Sequence, residues 1–239
     1  LARIELTSKG AKIRRYFLKK FKTWYHADVK DTNFSNQYVQ LVNTKKNGGD
    51  FNVIFVTKDG KLVNTSSLDF TSSLNNCYYK ISGKDSLLVR YVFTTAEGKS
   101  VAKDFIFFGN DYASKVDVEL NNMQDVISSY RYDVSWSDGL NFVEKNSVDE
   151  ATQANASVYS GDEQTIIDAK NDEKATKDIN GKIDWIAVRN KYFAMIIAPD
   201  KPSEESGAYF EGKHVQNALG VREYYNASLK MPFKGEKYQ

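Results

Sequence analysis

The sequence is poor in the residues that cross-link, ligate or span. A single cysteine, Cys77, stands among 239 residues, so no internal disulfide supports the fold. Two histidines, His26 and His214, joined to that one thiol make a poor ligand set for zinc or copper. Carboxylate-only magnesium or calcium sites stay open, but no D-x-[DN]-x-[DN]-G loop occurs, and no cofactor is expected. The three prolines, Pro199, Pro202 and Pro232, all fall in the last quarter of the chain. The longest clean apolar run, Tyr192 to Pro199, is far too short to cross a bilayer. A leader is lacking too: with no initial Met and no charged-then-apolar segment, the N-terminus reads as the boundary of a mature domain. Net charge is nearly absent, since 33 Lys+Arg against 31 Asp+Glu leave +2, and no nucleic-acid partner is implied.

What is present is apolar and patterned. Hydrophobic residues at 41% and aromatics at 13% can bury enough surface to offset chain entropy, which excludes disorder as the main description. Asp-Gly, Asn-Gly and related turn pairs recur at Lys58-Asp59-Gly60-Lys61, Ala96-Glu97-Gly98-Lys99, Ser137-Asp138-Gly139 and Asn180-Gly181-Lys182. The runs between them alternate with period two: Phe51, Val53, Phe55; Leu87, Val89, Tyr91, Phe93; Val101, Lys103, Phe105, Phe107; Val116, Val118, Leu120; Tyr130, Tyr132, Val134, Trp136. Such runs are half-buried antiparallel strands. The fold class expected is all-β, mainly antiparallel, in one large sandwich over residues 1–239. Helical signals are weak. Ala11 to Trp24 is ambiguous between a basic amphipathic helix and a strand, Asp162 to Lys177 reads as strand and loop, and Ser203 to Gly220 as a long loop with a short helix at most.

The small net charge hides segregation. Residues 1–30 carry nine basic and two acidic groups, whereas residues 133–178 carry eleven acidic and four basic ones. Solvated faces of a sheet protein explain this most simply. The sharper reading is a basic surface, with Lys12, Arg14, Arg15, Lys19, Lys20 and Lys22, that meets anionic lipid or an acidic partner.

Catalytic constellations fail on inventory. Neither histidine lies beside a G-x-S-x-G or cysteine elbow, and His214 reads as part of a Lys-flanked loop. Asn47-Gly48-Gly49-Asp50 lacks the Lys-Ser/Thr of a phosphate loop and reads as a hairpin turn. The carboxylate pairs Asp149-Glu150, Asp162-Glu163 and Glu204-Glu205 are adjacent, and neighbours in a strand point to opposite faces, so none converges on one sugar. The dense aromatics (Tyr78-Tyr79, Phe105 with Phe107-Phe108, Tyr130 with Tyr132, Tyr192-Phe193, Tyr224-Tyr225) read as sheet core in preference to a ligand platform.

One stretch carries a specific resemblance. Gly181 to Pro199, with Trp185, Ala187, Lys191, Tyr192, Phe193 and Pro199 in place, resembles the strand pair in the C-terminal half of the periplasmic domain of YidC-type (YidC/Oxa) membrane protein insertases. Tyr132-Asp-Val-Ser-Trp136, Gly139-Leu140 and Ala156-Ser-Val-Tyr159 are similar to the family's middle region. Leu6-Thr-Ser-Lys-Gly-Ala-Lys-Ile13 and Leu18-Lys-Lys-Phe-Lys-Thr23 are similar to its first strands, with Gly10-Ala11 in place of a double Gly. The likeness covers roughly residues 1 to 230.

The resemblance implies a β-supersandwich akin to the galactose mutarotase architecture. It implies a place on the periplasmic face of the bacterial inner membrane, within a longer membrane-anchored protein whose domain would continue past Phe233 with another strand and a helix. It also implies help in inserting and folding membrane proteins, through the Sec translocon or its accessory subunits, or through nascent chains. Under this reading the domain is not an enzyme, and Trp185, Tyr192 and Phe193 hold the core, so that Tyr192→Ala would cost roughly 3 kcal/mol. The rival class is a sugar-binding or mutarotase-like protein on the same architecture, which needs an acid and a base in one cleft. The positions of His26 and His214 discriminate between the two.

Overall fold

Strands built on period-two alternation make up a little over half of the described residues. A computed structural model describes residues 1–27, 33–43, 49–170, 174–218 and 220–234. The chain opens with β1 (Ala2–Thr7), β2 (Lys12–Lys22), a single helical turn α1 (Phe34–Gln37) and β3 (Tyr38–Gln40), which pair in the order β1-β2-β3. β4 (Asn52–Val56) and β5 (Leu62–Asn64) follow, and then β6 (Thr71–Ser72), β7 (Ser86–Thr94), β8 (Ser100–Phe108) and β9 (Ser114–Asn121), which form a second sheet in sequence order. After β10 (Arg131–Trp136) and the short helix α2 (Ser147–Ala151) come β11 (Asn155–Ser160), β12 (Glu163–Ile167), β13 (Ala175–Asn180), β14 (Trp185–Arg189) and β15 (Ala194–Ile197). The chain closes with the long strands β16 (Gly207–Asn217) and β17 (Gly220–Pro232). The third sheet runs β13-β16-β17-β10-β4-β5 and the fourth β12-β11-β14-β15. Every ladder is antiparallel, so the all-β antiparallel class expected from alternation is the class found.

The turn signals are borne out at two of the four places. Lys58–Lys61 joins β4 to β5 and Ala96–Lys99 joins β7 to β8, each as a hairpin. Asn180-Gly181-Lys182 instead carries the chain from the third sheet to the fourth. Ser137-Asp138-Gly139 turns back on its own strand: the Trp136 indole N–H donates to the Gly139 carbonyl at 2.9 Å. Asn47 and Gly48 lie outside the described residues. Asp50 beyond them makes a two-bond bridge with Ile13, which does not belong to a hairpin.

Two segments need correction. Ala11–Trp24 is a strand through Lys22. Ser203–Gly220 is no loop: it holds β16, which pairs with β17 from Gly207↔Lys230 to Asn217↔Gly220. The glycines that suggested a loop mark close approach. A Cβ on Gly212 would stand 2.8 Å from the ring of Tyr225, its cross-strand partner, and one on Gly207 would stand 2.6 Å from the Ile179 carbonyl oxygen.

One continuous apolar core runs from Ala11 to Phe233, with Phe105, Phe210, Ile186 and Tyr225 among its most buried members. Alternation within β8 splits Phe107, buried, from Phe108, exposed. Tyr132 and Tyr225 are buried in strands, whereas Tyr130, in the turn before β10, Tyr192, in the turn before β15, and Tyr78 and Tyr79 are exposed. Charged side chains are buried as well, and among them Lys103 shares a face of β8 with Val101 and Phe105.

Candidate functional site: an apolar cleft at an open sheet edge

The strand β2 begins the site. Tyr16 and Leu18, and past an irregularity in the β2–β3 register the consecutive Lys20, Phe21 and Lys22, line one wall of an apolar cleft of about 970 Å³, and Trp24 lines it beyond the strand. Leu41 and Leu140 supply part of its floor. Opposite stands β15. All six residues from Phe193 to Ala198 line the cleft. A strand that offers only one face contributes alternate residues, so a consecutive run means that the edge of β15 forms the lip.

That edge is open. β15 ends its sheet, with β14 on one side and no strand on the other among the described residues. The Asn190 N–H donates to the Phe193 carbonyl at 3.0 Å and closes the β14–β15 hairpin. Antiparallel pairs alternate between bonded and non-bonded, so Met195 and Ile197 direct their backbone groups to β14. Ala194 and Ile196 direct theirs away from it, and the Ile196 side chain is 61% exposed.

Hydrogen bonds fix the walls relative to one another. Asn190 is buried, and its Oδ1 accepts from the backbone N–H groups of Tyr192 (3.1 Å) and Phe193 (2.9 Å). Its Nδ2 donates to the Asn141 carbonyl at 3.0 Å, and the Asn141 amide in turn donates to the carbonyls of Gln40 (3.1 Å) and Val42 (2.7 Å). The β15 turn is thereby tied to β3. The Tyr16 hydroxyl donates to the Tyr112 carbonyl at 2.7 Å, and burial pushes its pKa up to about 12. Across the cleft, the rings of Phe21 and Phe193 meet edge to face at 5.2 Å. Glu150, fully buried on α2, accepts from the N–H groups of Val143 (2.8 Å) and Glu144 (2.9 Å) and so sets a further stretch of wall. Burial raises the Glu150 carboxyl, and these donors oppose the shift.

The cleft's charge is lopsided. Lys20 makes no ion pair among the described residues, and Lys22 reaches only neutral partners there, the Gln37 amide oxygen at 3.4 Å and the face of the Tyr38 ring at 3.7 Å. Lys145 lies 5.7 Å from the Trp24 ring centroid. Glu144 is the single carboxylate of the lining among the described residues.

The signature residues of the sequence are divided by this geometry. Ala187 is buried in β14. Trp185 is half-buried and stacks on Tyr159, its cross-strand partner, at 5.7 Å. Lys191 pairs with Asp149, and Pro199 lies two residues past β15. Phe193 is half-buried at the cleft. Tyr192 does not hold the core: it is 53% exposed at the mouth of the cleft, because the turn at Asn190 ends the alternation that would have carried it inward.

The expected basic surface also shrinks. Lys12 is 2% exposed and faces the interior near Asp50, and Arg15 pairs with Glu5 at 3.3 Å. Arg14, Lys19, Lys20 and Lys22 are exposed. Asn190, Ile196 and Tyr16 were not singled out by sequence. Only the Asn between two alternating runs could have signalled the turn.

Neither histidine lines the cleft. The Nδ1 of His26 lies 2.7 Å from the Thr23 carbonyl oxygen. His214 sits in β16 and not in a loop, with its Nδ1 3.0 Å from Glu223 Oε1 on β17. The other Glu223 oxygen accepts from the Tyr225 hydroxyl at 2.6 Å. Among the described residues no group of three His, Cys, Asp or Glu side chains is placed to hold a metal ion, and no helix is long and apolar enough to cross a membrane.

Comparison with known proteins finds relatives along nearly the whole chain. The chain is 33% identical over 232 residues to the membrane protein insertase YidC of Chlorobium phaeovibrioides, covering 97% of this chain and 37% of that protein. It is 34% identical over 232 residues to the insertase YidC of Pelodictyon phaeoclathratiforme, with the same coverages. It is 29% identical over 234 residues to that of Chloroherpeton thalassium, covering 97% and 38%. The chain thus spans a little over a third of the length of these relatives. The family profile described as the YidC periplasmic domain matches residues 1–234, and the chain belongs to that family.

Proposed function

We propose that this chain is the part of a membrane protein insertase that works at the periplasmic face of the bacterial inner membrane. Residues 1–239 act as one domain of a longer protein, a reading supported by the single core cluster from Ala11 to Phe233. The domain assists insertion and folding by contact. It holds emerging apolar segments of nascent membrane proteins in the cleft, beside Sec translocon subunits. The carrying observation is the run Phe193–Ala198 at the lip of an apolar cleft. An extended segment laid along β15 pairs its backbone with Ala194 and Ile196 and drops alternate side chains onto the apolar floor. At about 3.3 Å per residue, six residues give a binding line of roughly 20 Å. The sugar reading loses support because neither histidine is in the cleft to supply its acid-base pair.

A photo-reactive residue at position 196 of the full-length insertase, during synthesis of a membrane protein substrate, tests this. Cross-links to the nascent chain or to Sec subunits are expected at 196 and not at Tyr78, which is 77% exposed and outside the cleft. Equal cross-linking at both positions, or none at 196, contradicts the proposal.

A further inference from the structure

The cleft carries a chemical bias that the apolar reading does not use. Its lining presents the ammonium groups of Lys20 and Lys22 against one carboxylate, Glu144. Both lysines line the cleft on β2 and flank Phe21, whose ring meets that of Phe193 beside β15, so their charges lie close to a segment that pairs with the β15 edge. Among the described residues Lys20 makes no ion pair, and Lys22 touches an amide oxygen and a ring face. A ligand carboxylate can meet either without breaking a salt bridge between described residues.

We propose that the occupant of the cleft is an extended apolar segment flanked by Asp or Glu, and that Lys20 and Lys22 select it over the same segment flanked by Lys or Arg. This rests on the cleft being a peptide site. The selection has a physical use. Segments of membrane proteins that cross to the outer side are depleted in Lys and Arg relative to those left in the cytoplasm. Two lysines beside the binding line repel a basic flank and attract an acidic one, so the cleft disfavours segments that carry the Lys and Arg kept in the cytoplasm. The contribution is electrostatic and partly solvent-exposed, so it weakens with salt.

Labelled peptides with one apolar core and Asp, Ser or Lys flanks, titrated with the described chain and followed by fluorescence anisotropy, test the inference. At low ionic strength the Asp-flanked peptide is expected to bind about tenfold tighter than the Lys-flanked one, as two exposed charge contacts warrant. The difference closes near 1 M salt, where the Debye length is about 3 Å. The double variant K20E/K22E is expected to invert the order, and K20Q/K22Q to abolish it, with unchanged melting curves because both side chains are exposed. Equal affinities for the three flanks in the native protein overturn the selection and leave the apolar cleft standing. No binding of any peptide overturns the cleft reading itself. Flank-independent peptide binding, together with Lys20- and Lys22-dependent binding to phosphatidylglycerol vesicles, assigns the lysines to lipid and also overturns the proposal.

Discussion

The Lys103 amine lies 2.8 Å from the Gly10 carbonyl oxygen, with its side chain fully out of solvent. The same nitrogen reaches the carbonyls of Ala11 (3.2 Å) and Phe51 (3.0 Å) and the Thr65 hydroxyl (3.1 Å). One amine therefore ties β8 to the β1–β2 turn and to the strand entering β4. Replacing Lys103 by Met takes this donor from three carbonyls, while Thr65 keeps the Val53 N–H, and should cost about 3 kcal/mol, measured by urea unfolding at neutral pH.

Burial also pulls the Lys103 amine down from 10.5 to about 7. Between those values the unfolded chain binds the proton more than the folded one does. Stability owed to this group therefore rises with pH across that window and is flat below it. The gap between native protein and Lys103→Met should widen from pH 7 to pH 10, and a gap that narrows contradicts the assignment. Asp50 runs the other way. Burial raises its carboxyl to about 8, so its contribution falls as pH rises from about 4 to 8, and the native protein should pass through a stability minimum near neutral pH, which denaturation across pH 4–10 would reveal.

Tyr192→Ala should change the melting temperature little, since exposed substitutions seldom exceed about 0.5 kcal/mol. Ile186→Ala, at a fully buried position four residues before the Asn190 turn, should cost about 3 kcal/mol. Calorimetry on the two variants reads both. Equal losses would place Tyr192 back in the core.

Asn190→Ala removes the acceptor of two turn N–H groups and the donor to Asn141. It should destabilise the protein by about 2 kcal/mol. Faster hydrogen exchange should concentrate in Tyr192–Ile197, with β7 to β9 unchanged. Exchange that accelerates evenly across the chain would mean that the turn does not hold the lip.

The sequence makes some of this plain and hides the rest for local physical reasons. Leu87, Val89, Tyr91 and Phe93, opposite Val101, Lys103, Phe105 and Phe107 across an Ala-Glu-Gly-Lys turn, keep a period-two pattern broken only by Lys103 and fold as one hairpin. β16 escaped because Gly207 and Gly212 read as breakers, whereas Ile179 and Tyr225 leave no room for a Cβ there. Lys12 read as solvated because a charged strand residue usually is; Lys103 stands in register with Val101, Phe105 and Phe107, and the carbonyls gathered around its amine make its burial tolerable. The cleft itself was invisible. Its walls β2 and β15 lie more than 170 residues apart, and no local pattern reports that Phe21 meets Phe193.

The central claim is that the outward backbone of β15 binds an extended segment, and one substitution isolates it. The Ile196 N–H points away from β14, so Ile196→Pro deletes that donor while sparing the ladder, as proline on an edge strand can. Ile196→Ala removes the side chain and keeps the N–H. Affinity for an apolar extended peptide, measured by calorimetric titration of both variants, should fall at least about tenfold further in Ile196→Pro than in Ile196→Ala, with melting temperatures alike. Equal affinity of the two variants would contradict edge pairing at β15.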